Sequence, residues 1–149
     1  MAAGIADNVI KFALAADEII VVTTEEPTAV TDAYALMKVL SLRYAVKHFQ
    51  LIVNLAATVQ EADEVYRQLS LVAGRFLDIS IEYLGYVLFD EHVTKCVRQQ
   101  KVVSELYPGT QASRSFGYLA KRLSKTAPMR PPREHSNFCW EALIRDGSE

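Results

Sequence analysis

Three short, mainly apolar runs, separated by segments with helical periodicity, limit the folds open to this chain. The runs lie at Glu18–Thr23, Phe49–Asn54 and Ile81–Val87. Between them, apolar residues recur with helical spacing over 30–44 and 62–77. Strands that are apolar throughout are buried on both faces, and strands separated by helices pair in parallel. The sequence therefore predicts an α/β fold with a partial, doubly wound, mainly parallel sheet of about three strands flanked by helices.

Further helices and a proline-rich stretch divide the rest of the chain. Helical spacing also occurs over 5–16, from about Glu91 to Gln100, and over 112–123. The run TAPMRPPR holds three of the five prolines and is typical of an extended linker. We therefore expect an α/β unit over 1–125, a Pro/Arg linker over 126–135, and a short amphipathic helix with a tail over 136–149.

Composition and charge exclude several classes of protein. The net charge of −2 gives no electrostatic basis for wholesale nucleic-acid binding. The two cysteines, Cys96 and Cys139, are too few for a disulfide framework, so a reducing cytoplasm is the expected compartment. Acidic residues interrupt the first apolar stretch, which is unlike a secretory signal, and no charge-free run is long enough to cross a bilayer. We expect a soluble cytoplasmic protein.

The chain lacks the glycine-rich loop that usually opens a nucleotide-binding α/β fold. Neither GxxxxGK[ST] nor GxGxxG occurs in it, and its six glycines are scattered. Phosphoryl transfer depends on such a loop, on a lysine and on bound magnesium. We therefore expect no catalytic residue, no metal site and no ATP hydrolysis by this chain alone. A small parallel sheet would also leave its strand edges and the apolar face of residues 5–16 uncovered, which predicts a homo-oligomer.

Five segments in a fixed order carry a resemblance to a known family. They are AGI at 3–5, LAADEIIVVTTEEPTAVTDAYALMKVL at 14–40, LIVNLAATVQEADEVYRQL at 51–69, IEYLGYVLFDEHVTKCVRQQKVV at 81–103 and YPGTQASRSFGYLAKRL at 107–123. Together they resemble the C-terminal half of the MinD/ParA-type P-loop ATPases, in the flagellar-number (FlhG/FleN/YlxH) branch. The resemblance implies a P-loop NTPase-like fold over roughly residues 3–124. The family's phosphate loop (Walker A) would lie N-terminal to Met1.

The resemblance also implies which residues would face a nucleotide. In the family, the position of Asn54 reads the adenine base, and Leu88 and Asp90 lie in the loop that flanks the base; the family often has a proline in place of Leu88. We expect Asn54 to end its strand, where open α/β sheets bind ligands, although an asparagine also suits a strand-to-helix turn. Asp90 is placed either to contact the base or ribose or to cap the helix that begins near Glu91.

A second group of residues is implied to lie at the dimer edge of the family. Gly4, Thr24 and Glu26 correspond to the region that approaches the partner subunit of an ATP-bound dimer. A turn that leads into a helix explains Thr24 and Glu26 equally well. ATP and Mg²⁺ are implied as ligands of the intact family, and no cofactor is expected for this chain alone.

The C-terminal part of the chain has two interpretations. MinD-like proteins usually carry a C-terminal amphipathic helix that inserts at the membrane surface, and basic residues beside an aromatic face suit that role. A short helix of this kind also docks on its own domain or on a neighbouring protein. The residues that would form the membrane or partner surface are Lys121, Arg122, Trp140, Leu143 and Ile144.

These observations predict a non-catalytic fragment or truncated member of a MinD-like, ATP-dependent switch that regulates flagellar number or placement. Its implied partners are a second copy, a signal-recognition-type GTPase or flagellar components, and the inner face of the cell membrane. Two alternatives stay open: a piece of an active ATPase whose phosphate-loop half is absent from the sequence, and a homo-oligomeric interaction module that needs no nucleotide.

Overall fold

A computed structural model describes residues 7–126, which form a three-stranded sheet between two layers of helices. In chain order the elements are α1 (Asp7–Ala15), β1 (Ile20–Thr23), α2 (Pro27–Tyr44), β2 (His48–Ala56), α3 (Val59–Phe76), β3 (Ser80–Leu88), α4 (Glu91–Arg98), α5 (Val103–Leu106) and α6 (Gln111–Thr126).

The sheet is parallel throughout, and its strand order, β1-β2-β3, follows the chain. Val21 of β1 pairs with Leu51 of β2, which in turn pairs with Tyr83 of β3. The predicted fold class is thereby confirmed. The pairing of β2 with β3 is irregular at two places, between Leu51 and Ile52 and between Val53 and Ala56.

One core layer lies between the sheet and helices α2 and α3. Met37, Leu40 and Leu51 are fully buried there, and Phe49 and Leu69 are nearly so. Burying a side chain of this size contributes about 1.5–3 kcal/mol relative to leaving it in water. This layer therefore supplies most of the hydrophobic stabilisation, which explains why the periodicity of α2 and α3 is visible in the sequence.

A second, smaller core layer lies on the opposite face of the sheet, where α6 packs on β3. Leu84 and Val87 contact Ala112 and Leu119 of the helix in this layer. The backbone of Gly85 has a φ of +145°. A Cβ atom there would lie 3.1 Å from Leu119 Cδ2, so only glycine fits the conformation and the close approach of α6.

The face of the sheet that α6 covers at β3 is not covered at β1 by any element within residues 7–126. Side chains alternate along a strand, so Ile20 and Val22 point away from α2 and α3. Val22 is 59% exposed and Ile20 is 38% exposed. Parallel sheets are normally covered on both faces. The described part of the chain therefore leaves an apolar strip of the sheet uncovered.

Three local expectations needed correction. The strand expected to end at Asn54 continues to Ala56, and Leu88, expected in a loop, is the last residue of β3. Helix α5 was not predicted, because four residues are too few to show a period. The linker and the C-terminal helix expected after residue 126 lie outside the described residues. No helix within residues 7–126 is both long enough and apolar enough to span a bilayer.

Candidate functional site

The carboxyl ends of the three parallel strands meet at one edge of the sheet, where open α/β sheets bind ligands. Thr23 of β1 pairs with Val53 of β2, so the residues that follow, Thr24 and Asn54, lie at the same level. On the other side, Ala56 pairs with Leu88, and Phe89 donates a hydrogen bond to the carbonyl of Ala56 at 2.9 Å. The fold therefore brings Thr24, Asn54 and the segment after Leu88 to one edge.

Asn54 lies in the irregular part of β2, between the paired residues Val53 and Ala56. The next residue, Leu55, has a φ of +55°, a left-handed conformation that bends the strand out of its regular pleat. Asn54 is partly buried, and within residues 7–126 its side chain makes no hydrogen bond. Its amide therefore keeps one acceptor and two donor hydrogens for a ligand.

Asp90 is held by the protein on both carboxylate oxygens. Oδ1 accepts a hydrogen bond from the backbone N–H of His92 at 2.9 Å and lies 2.8 Å from His92 Nδ1. Oδ2 accepts from the backbone N–H of Ala112 at 3.2 Å. The bond from the His92 backbone is the main cause that lowers the pKa of Asp90 to about 2. Asp90 therefore caps α4 and also links the start of α4 to the first turn of α6. A contact between Asp90 and a nucleotide remains a prediction.

A shallow cavity of about 380 Å³ opens beside Asp90. Phe89, Gly109 and Arg114 contribute to its walls, and Phe89 is largely exposed. Arg114 donates two hydrogen bonds to the carbonyl of Gly109, at 3.2 and 2.8 Å. Phe89 and Gly109 were not singled out in the sequence, although the run Tyr107-Pro108-Gly109 is a turn signal that could have marked the loop.

The segment after β1 holds the residues implied for the dimer edge. Thr24 Oγ1 accepts a hydrogen bond from the backbone N–H of Glu26 at 3.4 Å. Glu26 is the N-cap residue that precedes α2, and its exposed side chain makes no capping bond. Between them, the Glu25 carboxylate accepts from Ala57 N–H at 3.4 Å. A hydrogen bond with Glu25 and repulsion from its charge raise the pKa of Glu61. No pattern in the sequence marks this pair of carboxyl groups, because Glu25 and Glu61 lie on different elements. Gly4 lies outside the described residues.

Two residues of the predicted membrane or partner surface, Lys121 and Arg122, lie elsewhere on the molecule. Arg122 lies 3.7 Å from Glu82, near the start of β3, and is therefore remote from Asp90. Lys121 beside it is exposed. Trp140, Leu143 and Ile144 lie outside the described residues. Within residues 7–126, no three His, Cys, Asp or Glu side chains are grouped so that they could hold a metal ion.

No protein-family model matches the chain. The antiactivator FleN of Pseudomonas aeruginosa is 38% identical over 144 residues, which cover 97% of this chain and 51% of FleN. The flagellum site-determining protein YlxH of Helicobacter pylori is 29% identical over 148 residues, which cover 96% of this chain and 49% of YlxH. The chain thus spans about half the length of these curated relatives, and the match lies in their C-terminal half.

Proposed function

Because the chain belongs to the family of flagellar regulators that includes FleN and YlxH and corresponds to their C-terminal half, we propose that it is the base-binding part of a MinD-like, ATP-dependent switch. The switch would control the number or placement of flagella. The chain would supply contacts to the adenine base and no catalytic group.

The observation that carries this proposal is the amide of Asn54 at the carboxyl edge of the sheet, which has no hydrogen-bond partner within residues 7–126. Three other polar side chains at this edge already have partners, since Asp90 is engaged by two backbone N–H groups and Thr24 and Glu25 each accept one backbone hydrogen bond. The Glu26 side chain is exposed to water. A buried or half-buried amide without a partner is costly unless water or a ligand satisfies it. The donor and acceptor of one amide match the donor and acceptor of the adenine edge.

The absence of hydrolysis is proposed on chemical grounds. The sequence contains no GxxxxGK[ST] motif, so it provides no set of backbone N–H groups and lysine to surround the β- and γ-phosphates. Contacts of this kind supply most of the rate enhancement in phosphoryl transfer. An adenine contact without them binds a base but does not cleave a phosphate.

Titration of the purified chain with magnesium-ATP, adenosine and magnesium-GTP, followed by calorimetry, tests both parts of the proposal. We expect weak binding of ATP and adenosine with similar affinity, weaker binding of GTP, and no phosphate release in a malachite-green assay. Asn54→Ala should abolish binding, whereas Gln60→Ala, at an exposed position in the first turn of α3, serves as the matched control. Equal binding by Asn54→Ala and the native chain would remove Asn54 from the site, and phosphate release would contradict the non-catalytic proposal.

A second candidate function is a homo-oligomeric interaction module that needs no nucleotide. The bare apolar strip at Ile20 and Val22 favours it, because exposed apolar surface of this kind is normally covered by another protein surface. Sedimentation velocity over a range of concentrations separates the candidates. Self-association that ATP does not change and that Val22→Lys abolishes would support the module, and a monomer at every concentration would exclude it.

We also propose the contacts that the family resemblance implies, with a signal-recognition-type GTPase, flagellar components or the membrane surface. Flotation of the chain with vesicles that contain anionic lipid tests the membrane contact. We expect Trp140→Ala to abolish flotation if the C-terminal helix inserts, whereas unchanged flotation would exclude that helix as the anchor.

A further inference from the structure

Within residues 7–126, the outer edge of β3 has no neighbouring strand, and its second half is open. Among the described strands, β3 pairs only with β2, so its other side is a sheet edge. Phe89 N–H donates to Ala56 of β2 at 2.9 Å, and backbone groups point to alternate sides along a strand. The N–H and C=O groups of Tyr86 and Leu88 therefore point away from β2. Such unpaired groups form a ready template for another strand.

The first half of the same edge is covered by side chains. The Tyr66 hydroxyl of α3 donates to the carbonyl of Ile81 at 3.4 Å. The Tyr66 ring stacks on the ring of Tyr83, with 4.8 Å between centroids and 8° between planes. These contacts occupy the edge from Ile81 to Tyr83 and restrict strand addition to the part that follows Gly85.

Helix α6 forms the second wall of a groove along this open part. The groove has a volume of about 610 Å³ and is lined by Tyr86, Leu88, Gln111, Arg114, Ser115 and Tyr118. Tyr118 is 54% exposed, and its ring would be 3.5 Å from a Cβ at position 85, so glycine lets the helix and the strand edge come close together. A strand edge flanked by a helix is the arrangement that receives an extended peptide as an added strand.

The charge of the groove specifies the partner. Arg114 is the charged side chain among the residues that line the groove, and helix α6, which forms the second wall, has no acidic residue over 111–126. Arg114 lines the groove and uses Nε and Nη2 to bind the carbonyl of Gly109. Its guanidinium has five N–H donors, so donors remain for a carboxylate. Charge complementarity therefore favours an acidic ligand.

We propose that this groove, bounded by Tyr86, Leu88, Arg114 and Tyr118, binds an extended acidic segment of a partner protein, which joins the sheet beside β3. The backbone of Tyr86 and Leu88 supplies the main-chain hydrogen bonds, Tyr118 packs against an apolar side chain of the segment, and Arg114 pairs with its carboxylate. The groove does not include Asn54, but it shares Arg114 with the cavity beside Asp90, and it includes Leu88, which was expected to flank the base.

Selection from a random dodecapeptide display library against the complete chain provides the probe. Enriched peptides, synthesised with a fluorescein label, are measured by fluorescence anisotropy, and their site is mapped by amide hydrogen exchange. We expect the enriched peptides to combine acidic residues with alternating apolar ones and to slow exchange at Tyr86 and Leu88. Methylation of the central backbone nitrogens of such a peptide should abolish binding, because the added strand then loses its donors.

Two charge reversals provide a matched pair of variants. Arg114→Glu should weaken peptide binding by at least about tenfold, since a repulsion replaces an attraction. Arg98→Glu changes the net charge equally, at an exposed position in the last turn of α4, and should change the affinity less than about twofold.

Several results would overturn the proposal. They are the absence of peptides enriched over an unrelated control protein, protection that maps away from β3, and equal losses in the two variants. Slow exchange of Tyr86 and Leu88 in the free chain would also overturn it, because the edge would then already be covered by the chain itself or by a second copy.

Discussion

Replacement of Gly85 by alanine tests the account of the second core layer most directly. The φ of +145° at this position is one that residues with a Cβ rarely adopt, and holding such a residue there costs about 1–3 kcal/mol. The new methyl group would lie 3.1 Å from Leu119 Cδ2 and 3.5 Å from Tyr118 Cε1. Leu119 Cδ2 is the end of a flexible side chain, so we place the packing cost near the lower end of the usual range, about 1 kcal/mol.

The methyl group also gains about 0.8 kcal/mol from burial, so the expected net loss is about 2 kcal/mol. Total stabilities of domains of this size are about 5–15 kcal/mol, which makes the loss easy to measure. Urea unfolding followed by far-UV circular dichroism gives the free energy of unfolding, provided that the slope with urea is the same in both proteins.

Gly74→Ala is the matched control for this substitution. Gly74 lies inside α3, and a Cβ there would meet nothing within 4 Å. Alanine is a better helix former than glycine, so this variant should gain about 0.5–1 kcal/mol. The same chemical change is therefore expected to have opposite signs at the two positions.

A double-mutant cycle with Leu119→Ala separates the steric cost from the backbone strain. In a chain that already carries Leu119→Ala, the cost of Gly85→Ala should fall by about 1 kcal/mol, because the close contact has been removed. The remaining part of the destabilisation should persist in this double mutant, since it comes from the strained backbone conformation at position 85. A loss below about 0.5 kcal/mol for Gly85→Ala alone would refute the argument that only glycine fits at this position.

Three further predictions concern charge and packing. Glu61→Gln should stabilise the fold at pH 7: the pKa of Glu61 is raised by Glu25, so its contribution to stability is present at low pH and lost as the pH rises through the raised pKa. The gain, measured by urea unfolding, should vanish below the ordinary pKa and shrink in high salt; a gain that is independent of pH would contradict the repulsion. The stability contribution of Asp90 depends on pH in the opposite direction, because its pKa is lowered from 3.8 to about 2. The stabilisation is present above pH 3.8 and is lost as the pH falls from 3.8 to about 2. Asp90→Asn should be less stable than the native chain at pH 7 and should approach it near pH 2, and a constant difference across this range would argue against a charged cap. Leu84→Ala should cost about 2–5 kcal/mol, because Leu84 is fully buried beneath α6, and a loss below about 1 kcal/mol would mean that this layer packs loosely.

The regular elements could be predicted because each has a period in the sequence. The apolar spacing of α2 and α3 follows from their contact with the larger core layer, and the mainly apolar character of β2 follows from coverage on both faces. The sequence does not reveal where β2 becomes irregular, because the left-handed conformation falls on Leu55, a residue type that rarely adopts it.

The candidate site was only partly predictable for a similar reason. Asn54 and Asp90 each follow an apolar run, which marks the carboxyl ends of strands. The bond from Ala112 N–H to Asp90 joins residues 22 positions apart, and no local pattern reports such a contact. Arg114 also has no local signal, since its place in the groove depends on how α6 lies against β3.

The agreement between strand order and chain order has a consequence for how this protein folds. Each parallel pair joins residues about 30 positions apart, so the two loop closures have nearly equal entropic costs. Each of these strands pairs with the next one along the chain, so no pairing requires a longer loop closure. Short sequence separations between contacting residues favour rapid folding. During synthesis, β1, α2 and β2 can assemble once residue 56 has left the ribosome, and α3 with β3 can then add to an existing template.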